Sequence, residues 1–412
     1  MASTVPTGTI TSWLILEETW SPYRLEGDLT IGSTTKMTVN DGVELRISSD
    51  AVIDVQGVFE SGAATISSTG FGARWGGLLL DGIVGSRIDL SGTILAEGSP
   101  LLTMAGRGEV SAQGSQFARS AGADPLISIY SSSQSSLTLI DSKLQDAGSM
   151  CIQSQSQEAT IVLQDVTLSN CNGDGIWARL SSIDIHGITL GSGLEDGIDL
   201  TGVSGQITGV QSDEFDGDHV IRMQSLEDGF HISDSNIHAG QSGGLFAFMC
   251  EDITLSNLTV FGAPGIDLDE TSGELQNIIL EGDNSGVGLT IRHGLSQPVL
   301  ADGVQISDYS VGLKLHAHDF EDPIPVVMRN VTIESIEAVS AEFFDLRIES
   351  STLTGDLSIA SSTVDAVDSI LTGSTSIDVD GLLNEWSAHS LHALLNSEVV
   401  EATYTLTSEL LM

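Results

Sequence analysis

The sequence has few basic residues and no long apolar run. Lysine occurs only at positions 36, 143 and 314, and 14 Lys and Arg stand against 57 Asp and Glu, for a formal net charge of −43. Such a surface repels nucleic acid and anionic membranes, so we expect both to be poor partners and predict no nucleic-acid binding. No segment reaches the ~18 apolar residues that a membrane-spanning helix needs, so we expect no membrane insertion.

The acidity has two possible explanations. A Lys-poor, acid-rich surface keeps a secreted protein soluble in a salty habitat, whereas clustered carboxylates could also collect divalent cations. The first residues, MASTVPTGTITSWLILEETW, lack the positive start and the apolar core of a secretory signal. If the protein is extracellular, we expect this chain to be a mature form or a fragment.

The chain has three cysteines, at positions 151, 171 and 250, with no metal-ligand spacing. Cys151 and Cys171 are separated by about one repeat of the pattern described next. They occupy different phases of that repeat, so we expect them not to stack and predict buried free thiols.

A short phrase recurs along the chain. It reads LQDVTL from Leu163 and IHGITL from Ile185, with an apolar residue, then Gly, Asn or Asp two places later, then another apolar residue. Its third position falls, at a mean interval of about 23.5 residues, on Gly92, Gly114, Asp141, Asp165, Gly187, Gly209, Asp234, Asn257, Asn277, Asp302, Asn330 and Ser350.

This repeat predicts a solenoid. A period of 20–50 residues is typical of stacked arrays, and Gly, Asn and Asp enter the left-handed backbone conformation at least cost. The flanking residues alternate apolar and polar, as in half-buried strands. Leucine-rich repeats would need a fixed Leu ladder, and ankyrin or tetratricopeptide units would need helical periodicity. The pattern therefore predicts a parallel β-helix.

The ladder of turn residues resembles the right-handed parallel β-helix, or pectin-lyase-like, superfamily over residues 25–380. The segment Arg74-Trp-Gly-Gly-Leu78 and the alternation before it are similar to secreted archaeal and bacterial surface proteins. This resemblance implies an all-β, single-stranded, right-handed parallel β-helix of about 15 rungs and an extracellular or cell-surface location. We predict an N-terminal cap over residues 1–24, the β-helix over 25–381, and a C-terminal cap or the start of a β-sandwich over 382–412.

The strand after each ladder turn is the best candidate for a binding surface, since its outward positions carry aromatic, acidic and basic side chains. Exposed rings beside carboxylates and guanidinium groups can stack on and hydrogen-bond sugars. The alternative is that these are solvated positions, with Phe246 and Phe248 covered by a loop. The predicted carbohydrate-binding residues are Trp177, Arg179, Asp199, Arg222, Phe246, Asp267, Asp269 and Arg292.

An enzymatic alternative uses the same strands. Asp267 and Asp269 lie two apart on one strand, roughly 6.6 Å at Cα, within the range of carboxyl spacings used for glycoside hydrolysis. With His316 they form the candidate site of a polysaccharide lyase or hydrolase. The hydrolase motifs of the superfamily are missing, and Arg292-His-Gly and Arg347-Ile-Glu are only partial matches. We therefore favour a non-enzymatic structural or adhesive module that binds polysaccharide.

Acidic turns in successive coils suggest a cation site. Stacked carboxylates repel one another unless a cation lies between them, and Ca²⁺ takes six to eight oxygen ligands. The spacing matches no known calcium loop, so solvated turns are the alternative. The predicted calcium ligands are Asp174, Glu195, Asp196, Asp216 and Asp218.

Overall fold

The computed structural model describes residues 2–378, apart from 71, 83, 121, 131–133, 227–228, 293–297, 318–323, 343, 361 and 374. Every strand pairing within it is parallel, and the strands make about 14 turns of about 23 residues. The all-β parallel solenoid predicted from the repeat is confirmed. The chain divides into two compact units, Met1–Gly217 and Asp218–Met412. The predicted C-terminal segment 382–412 lies outside the described residues.

The first unit forms three faces. Face 1 begins with Ser3–Thr4 (β1), face 2 with Gly8–Ile10 (β2) and face 3 with Leu14–Leu16 (β3). Each strand pairs with the equivalent strand of the next coil. A 3-10 turn covers Glu18–Trp20. The strands are β1 Ser3–Thr4, β2 Gly8–Ile10, β3 Leu14–Leu16, β4 Tyr23–Leu25, β5 Leu29–Ile31, β6 Lys36–Val39, β7 Glu44–Ile47, β8 Ile53–Val55, β9 Val58–Ser61, β10 Thr65–Ser68, β11 Leu78–Leu80, β12 Arg87–Ser91, β13 Ile94–Ala96, β14 Leu102–Met104, β15 Glu109–Gln113, β16 Gln116–Ala118, β17 Ile127–Ile129, β18 Ser136–Ile140, β19 Lys143–Ala147, β20 Ile152–Ser154, β21 Thr160–Cys171, β22 Ile176–Arg179, β23 Ser182–Leu190, β24 Ile198–Thr201 and β25 Ser204–Gln211.

The second unit continues the same kind of parallel pairing within itself. Its strands are β26 His219–Gln224, β27 His231–His238, β28 Gly243–Phe248, β29 Ile253–Phe261, β30 Ile266–Asp269, β31 Gly273–Glu281, β32 Val287–Arg292, β33 Val299–Asp302, β34 Gln305–Ser307, β35 Val311–His316, β36 Ile324–Arg329, β37 Thr332–Glu342, β38 Phe344–Glu349, β39 Thr352–Ala360, β40 Thr363–Val367, β41 Ile370–Thr372 and β42 Thr375–Asp378. In both units the core is built from inward Leu, Ile and Val side chains.

The predicted ladder of left-handed residues is present. Eleven of the twelve positions have φ between 49° and 79°. At the twelfth, Asp302 ends β33 and the left-handed residue is the next one, Gly303, with φ 70°. Long strands such as β21 therefore turn a corner in mid-strand at Asp165, where φ is 52°.

The segment predicted as an N-terminal cap already takes part in the parallel strand pairing. Strands β1, β2 and β3 pair in parallel with β4, β5 and β6, so the parallel pairing begins at Ser3 rather than at residue 25. The sequence predicts that Trp13, Trp20 and Tyr23 cover the open end of the core. Of these, Tyr23 is buried, whereas Trp13 and Trp20 are exposed to 75% and 63%.

Two predictions from the sequence are wrong. Cys151 and Cys171 form a disulfide, with Cα atoms 5.6 Å apart. Cys151 precedes β20 and Cys171 ends β21, so both buried side chains reach one corner of the core from adjacent coils despite their different phases. Strand alternation from Ile176 and Ala178 predicts that Leu180 also points inward. It is instead 46% exposed, because it adopts the left-handed conformation with φ 59° and leaves the alternation of β22. Cys250 is a buried free thiol, as predicted.

Candidate functional site

Five successive strands of the second unit bring predicted binding residues together. The strands that pair in order are β26, β28, β30, β32 and β35. Their outward side chains form two columns, and successive residues within a column are about 4.8 Å apart, the distance between neighbouring strands. We call this surface the binding face. Its first column is Arg222, Phe246, Asp267, Thr290 and Lys314, and its second is Gln224, Phe248, Asp269, Arg292 and His316.

The period of two in these strands produces this surface. Apolar residues at alternate positions, such as Ile266, Leu268 and Leu289, are buried in the core. Successive side chains of a strand point to opposite sides, so the intervening charged and aromatic residues must face outward. The prediction of inward and outward positions holds in these strands.

Arg292 organises the charges at the centre of the binding face. Its Nε and one terminal nitrogen donate to the two carboxylate oxygens of Asp267 at 3.1 and 2.6 Å. The same guanidinium lies 3.8 Å from an oxygen of Asp269. This paired, forked contact fixes the direction of the Asp267 carboxylate, and the same guanidinium offsets part of the charge of Asp269.

The Asp267 carboxyl has an unusual environment. Burial raises its pKa, against the lowering effect of the hydrogen bond and charge of Arg292, while the neighbouring Asp269 raises it further. The side chain is 28% exposed, so desolvation outweighs the attraction of a single arginine. The pKa of Asp267 is therefore raised above that of a solvated aspartate despite its contact with Arg292.

Two aromatic rings and a histidine lie on the neighbouring strands. Phe246 and Phe248 are each partly exposed, and the ring of His219 lies 5.5 Å from that of Phe246 at a tilt of 37°. Phe246 is the register partner of Asp267, and Phe248 that of Asp269. Apolar ring surface therefore lies directly beside the arginine-carboxylate cluster.

The three residues of the enzymatic alternative do not converge. Arg292 occupies the position between Asp269 and His316 in the second column. His316 is instead hydrogen-bonded through Nδ1 to Glu342 on β37, at 2.8 Å. Sequence reasoning missed Glu342, which becomes a neighbour because β37 turns through a corner and pairs with β35.

The other three predicted sugar-binding residues lie in the first unit. Trp177 on β22 is the register partner of Asp199 on β24, and Asp199 is 9% exposed. The guanidinium carbon of Arg179 lies 4.3 Å from the centroid of the Trp177 ring. One face of the indole is thus occupied by a cation–π contact. The eight predicted residues form two groups, one in each unit.

The predicted calcium ligands have structural partners. Asp174 is 8% exposed and accepts the backbone N–H of Asp196 at 3.0 Å. Asp216 accepts the N–H of Gly193 at 2.7 Å. Burial, with the nearby carboxylates, raises the pKa of Asp174 to about 7. Asp218 belongs to the second unit. Within residues 2–378, where described, no three His, Cys, Asp or Glu side chains are placed to hold a metal ion, and calcium binding stays a prediction.

Comparison with known proteins finds similar solved structures at low sequence identity only. No family model and no curated protein matches the chain. Among solved structures it is similar to the periplasmic alginate epimerase AlgG (12% identity, 84% of this chain and 76% of that one, TM-score 0.38). It is also similar to a tailspike protein mutant of E. coli bacteriophage HK620 in complex with a hexasaccharide (10%, 86% and 69%, TM-score 0.34).

A third similar structure is the A-module of the mannuronan C-5 epimerase AlgE4 from Azotobacter vinelandii, at 10% identity, 90% of this chain, 91% of that one and a TM-score of 0.27. The chain folds as a parallel β-helix. At these identities the solved structures carry no argument about activity. Among the described residues of this β-helix, no helix is long and apolar enough to cross a membrane.

Proposed function

We propose that this β-helix is an extracellular or cell-surface module that binds polysaccharide along the binding face. The observation that carries the proposal is the pairing of Phe246 and Phe248 with Asp267 and Asp269, both of which contact Arg292. Rings offer apolar surface to the faces of sugar rings, and the oriented carboxylates and guanidinium offer acceptors and donors to hydroxyl groups.

The arrangement suits an extended polymer. The two columns repeat on five consecutive strands, so several sugar units could contact equivalent positions in sequence. The columns also hold three of the 14 Lys and Arg residues of the chain, at Arg222, Arg292 and Lys314. These cations offset the carboxylates locally, so a polysaccharide meets less repulsion here than the overall charge of −43 suggests.

The Cys151–Cys171 disulfide supports the proposed location. Disulfides form and persist in oxidising compartments and are rare in reducing cytosol. A bridge between adjacent coils of the core fits a secreted or surface protein better than a cytosolic one.

The test measures retention of the full chain on a panel of insoluble neutral and uronic-acid polysaccharides. The same samples are assayed for reducing ends and unsaturated products, with and without Ca²⁺. We expect retention without product, and an approximately tenfold weaker affinity, about 1.4 kcal/mol, for Phe246→Ala and for Asp267→Asn. Gln276→Ala, an exposed change on β31 away from the binding face, is the control and should bind as the wild type.

The second candidate function is a polysaccharide lyase or hydrolase, favoured by the raised pKa of Asp267. A carboxyl whose pKa is raised by burial is better suited to general acid catalysis than a solvated one, and Asp269 lies two residues away on the same strand. Product formation that Asp267→Asn abolishes would establish this candidate and overturn the non-enzymatic proposal. Absence of both retention and product would leave a structural spacer.

A further inference from the structure

A groove distinct from the binding face runs along face 3 of the first unit. Its volume is about 700 Å³, within the usual range for a ligand site. It is lined by the ends of β6, β9, β12 and β15 together with the 3-10 turn around Glu18. None of the residues predicted from the sequence to bind sugar or calcium lies in it.

The outward column of face 3 supplies polar groups to this groove. Thr38, Glu60, Asp89 and Ser111 are register partners on successive strands, and all four line the groove. The neighbouring lining positions add amide and carboxylate groups, at Asn40, Asp41 and Gln113. Most ligand pockets are lined mainly by apolar side chains, so this lining favours a ligand rich in hydroxyl groups.

Four charged side chains on these strands neutralise one another. Lys36 contacts Glu60, and Arg87 lies 3.3 Å from the other Glu60 oxygen. Arg87 Nε also contacts Asp89, at 2.8 Å. Two cations and two carboxylates thus form one network in which donors and acceptors are held side by side. Glu60 and Asp89 line the groove and can accept from hydroxyl groups, whereas Lys36 and Arg87 lie on the same strands outside the lining and offset the charge of the two carboxylates.

The electrostatic effects on the two carboxyls are consistent with this network. The hydrogen bond from Lys36 is the largest of several effects that lower the pKa of Glu60. Burial raises the pKa of Asp89, which Arg87 only partly offsets. The pKa of Glu60 is therefore lowered, which keeps its carboxylate as an acceptor, whereas the pKa of Asp89 is raised.

Apolar surface adjoins the polar column. Ile15 on β3 is 55% exposed and is the register partner of Thr38, which lines the groove. Trp13, which directly precedes β3, is 75% exposed. Aromatic residues make up only 5% of the chain, so an exposed tryptophan is uncommon in it. The indole of Trp13 is available to stack on the apolar face of a sugar ring.

We propose that this groove is a second binding site, specific for a neutral oligosaccharide. Uronic-acid polymers are excluded because Glu17, Glu18 and Asp41 add negative charge to the lining, on a chain of net charge −43. The site is independent of the binding face, which lies in the other unit.

Isothermal titration of the full chain with cellohexaose, mannohexaose, xylohexaose and hexagalacturonate tests the proposal. We expect at least one neutral hexasaccharide to bind and hexagalacturonate not to bind at this groove. Ser111→Tyr should weaken the neutral sugar at least tenfold by filling the groove, without removing any member of the charged network. Thr138→Tyr is the matched control, since Thr138 is the next residue of the same column and does not line the groove.

Two further variants separate this site from the binding face. Trp13→Ala should weaken the part of the neutral-sugar binding that Ser111→Tyr removes, whereas Asp267→Asn, which alters only the binding face, should leave that part unchanged. The proposal is overturned if no neutral hexasaccharide binds, if Ser111→Tyr and Thr138→Tyr behave alike, or if Asp267→Asn abolishes the binding. Thermal unfolding of every variant confirms that a loss of binding is not a loss of fold.

Discussion

Asp174 shows how a single buried carboxyl can make the stability of this protein depend on pH. Its pKa is raised from 3.8 to about 7, first by burial and then by Asp196, Asp199 and Glu195. A carboxyl with a raised pKa binds its proton more tightly in the folded state. Its contribution to stability is therefore fully present below about pH 4 and is lost as pH rises toward 7.

We predict that Asp174→Asn stabilises the protein at pH 8, by up to about 4 kcal/mol, and has little effect at pH 4. The amide keeps an oxygen that can accept the Asp196 N–H but carries no charge to desolvate. Urea unfolding at the two pH values measures the difference. Asp216→Asn is the matched control, because Asp216 also accepts a backbone N–H from the adjacent coil but is exposed. Equal effects of Asp174→Asn at both pH values would contradict the prediction.

At the scale of the elements, the corner residues decide where each strand turns. Asn257 has φ 52°, donates to Asp234 at 3.0 Å and accepts from Asn277 at 3.2 Å. Its side chain therefore stabilises the corner both by tolerating the left-handed conformation and by linking three coils. The exposed position excludes a large contribution from burial.

We predict that Asn257→Ala destabilises the second unit by roughly 2–3 kcal/mol. About 1–2 kcal/mol comes from the left-handed backbone and about 1 kcal/mol from the lost hydrogen bonds. Asn257→Gly keeps the backbone conformation accessible and loses only the side-chain bonds, so it should cost less. The free energy of unfolding in urea gives both values. An alanine variant as stable as the glycine variant would show that the backbone conformation does not set the cost.

These corners also explain how far the sequence predicts the structure. Asn, Asp and Gly identify the ladder because they enter the left-handed region at low cost, and at Asp302-Gly303 the adjacent glycine takes the position instead. A second series of left-handed residues follows the outward strands and includes Leu180 and Met249. Leucine and methionine give no such signal, since tertiary pairing imposes the conformation on them.

For the candidate site, the sequence predicts which residues face outward and which strands are neighbours, but not the contacts between their side chains. The period of two assigns Phe246, Asp267 and Arg292 to the outside, and the repeat aligns their strands. The contacts of Arg292 with both carboxylates depend on side-chain rotamers, and the His316–Glu342 bond depends on a corner within β37. Neither follows from spacing. The disulfide was missed because two thiols of different phase can still meet at a corner.

For the whole molecule, the dominant electrostatic fact is the net charge of −43. Repulsion among so many carboxylates opposes the compact state, and salt screens it, with a Debye length that falls from about 10 Å at 0.1 M to about 3 Å at 1 M. We predict that the urea midpoint at pH 7.5 rises as NaCl increases from 0.05 to 1 M.

Calcium chloride and NaCl at matched ionic strength distinguish the two explanations of the acidity. General screening predicts similar midpoints at matched ionic strength, whereas a specific site adds stability that saturates with Ca²⁺ concentration. If the predicted ligands around Asp174 bind calcium, the saturating part should disappear in Asp174→Asn while the NaCl response persists. A midpoint that is insensitive to NaCl would contradict the view that charge repulsion limits stability, whatever calcium does. A calcium effect that survives in Asp174→Asn would assign the cation to another site.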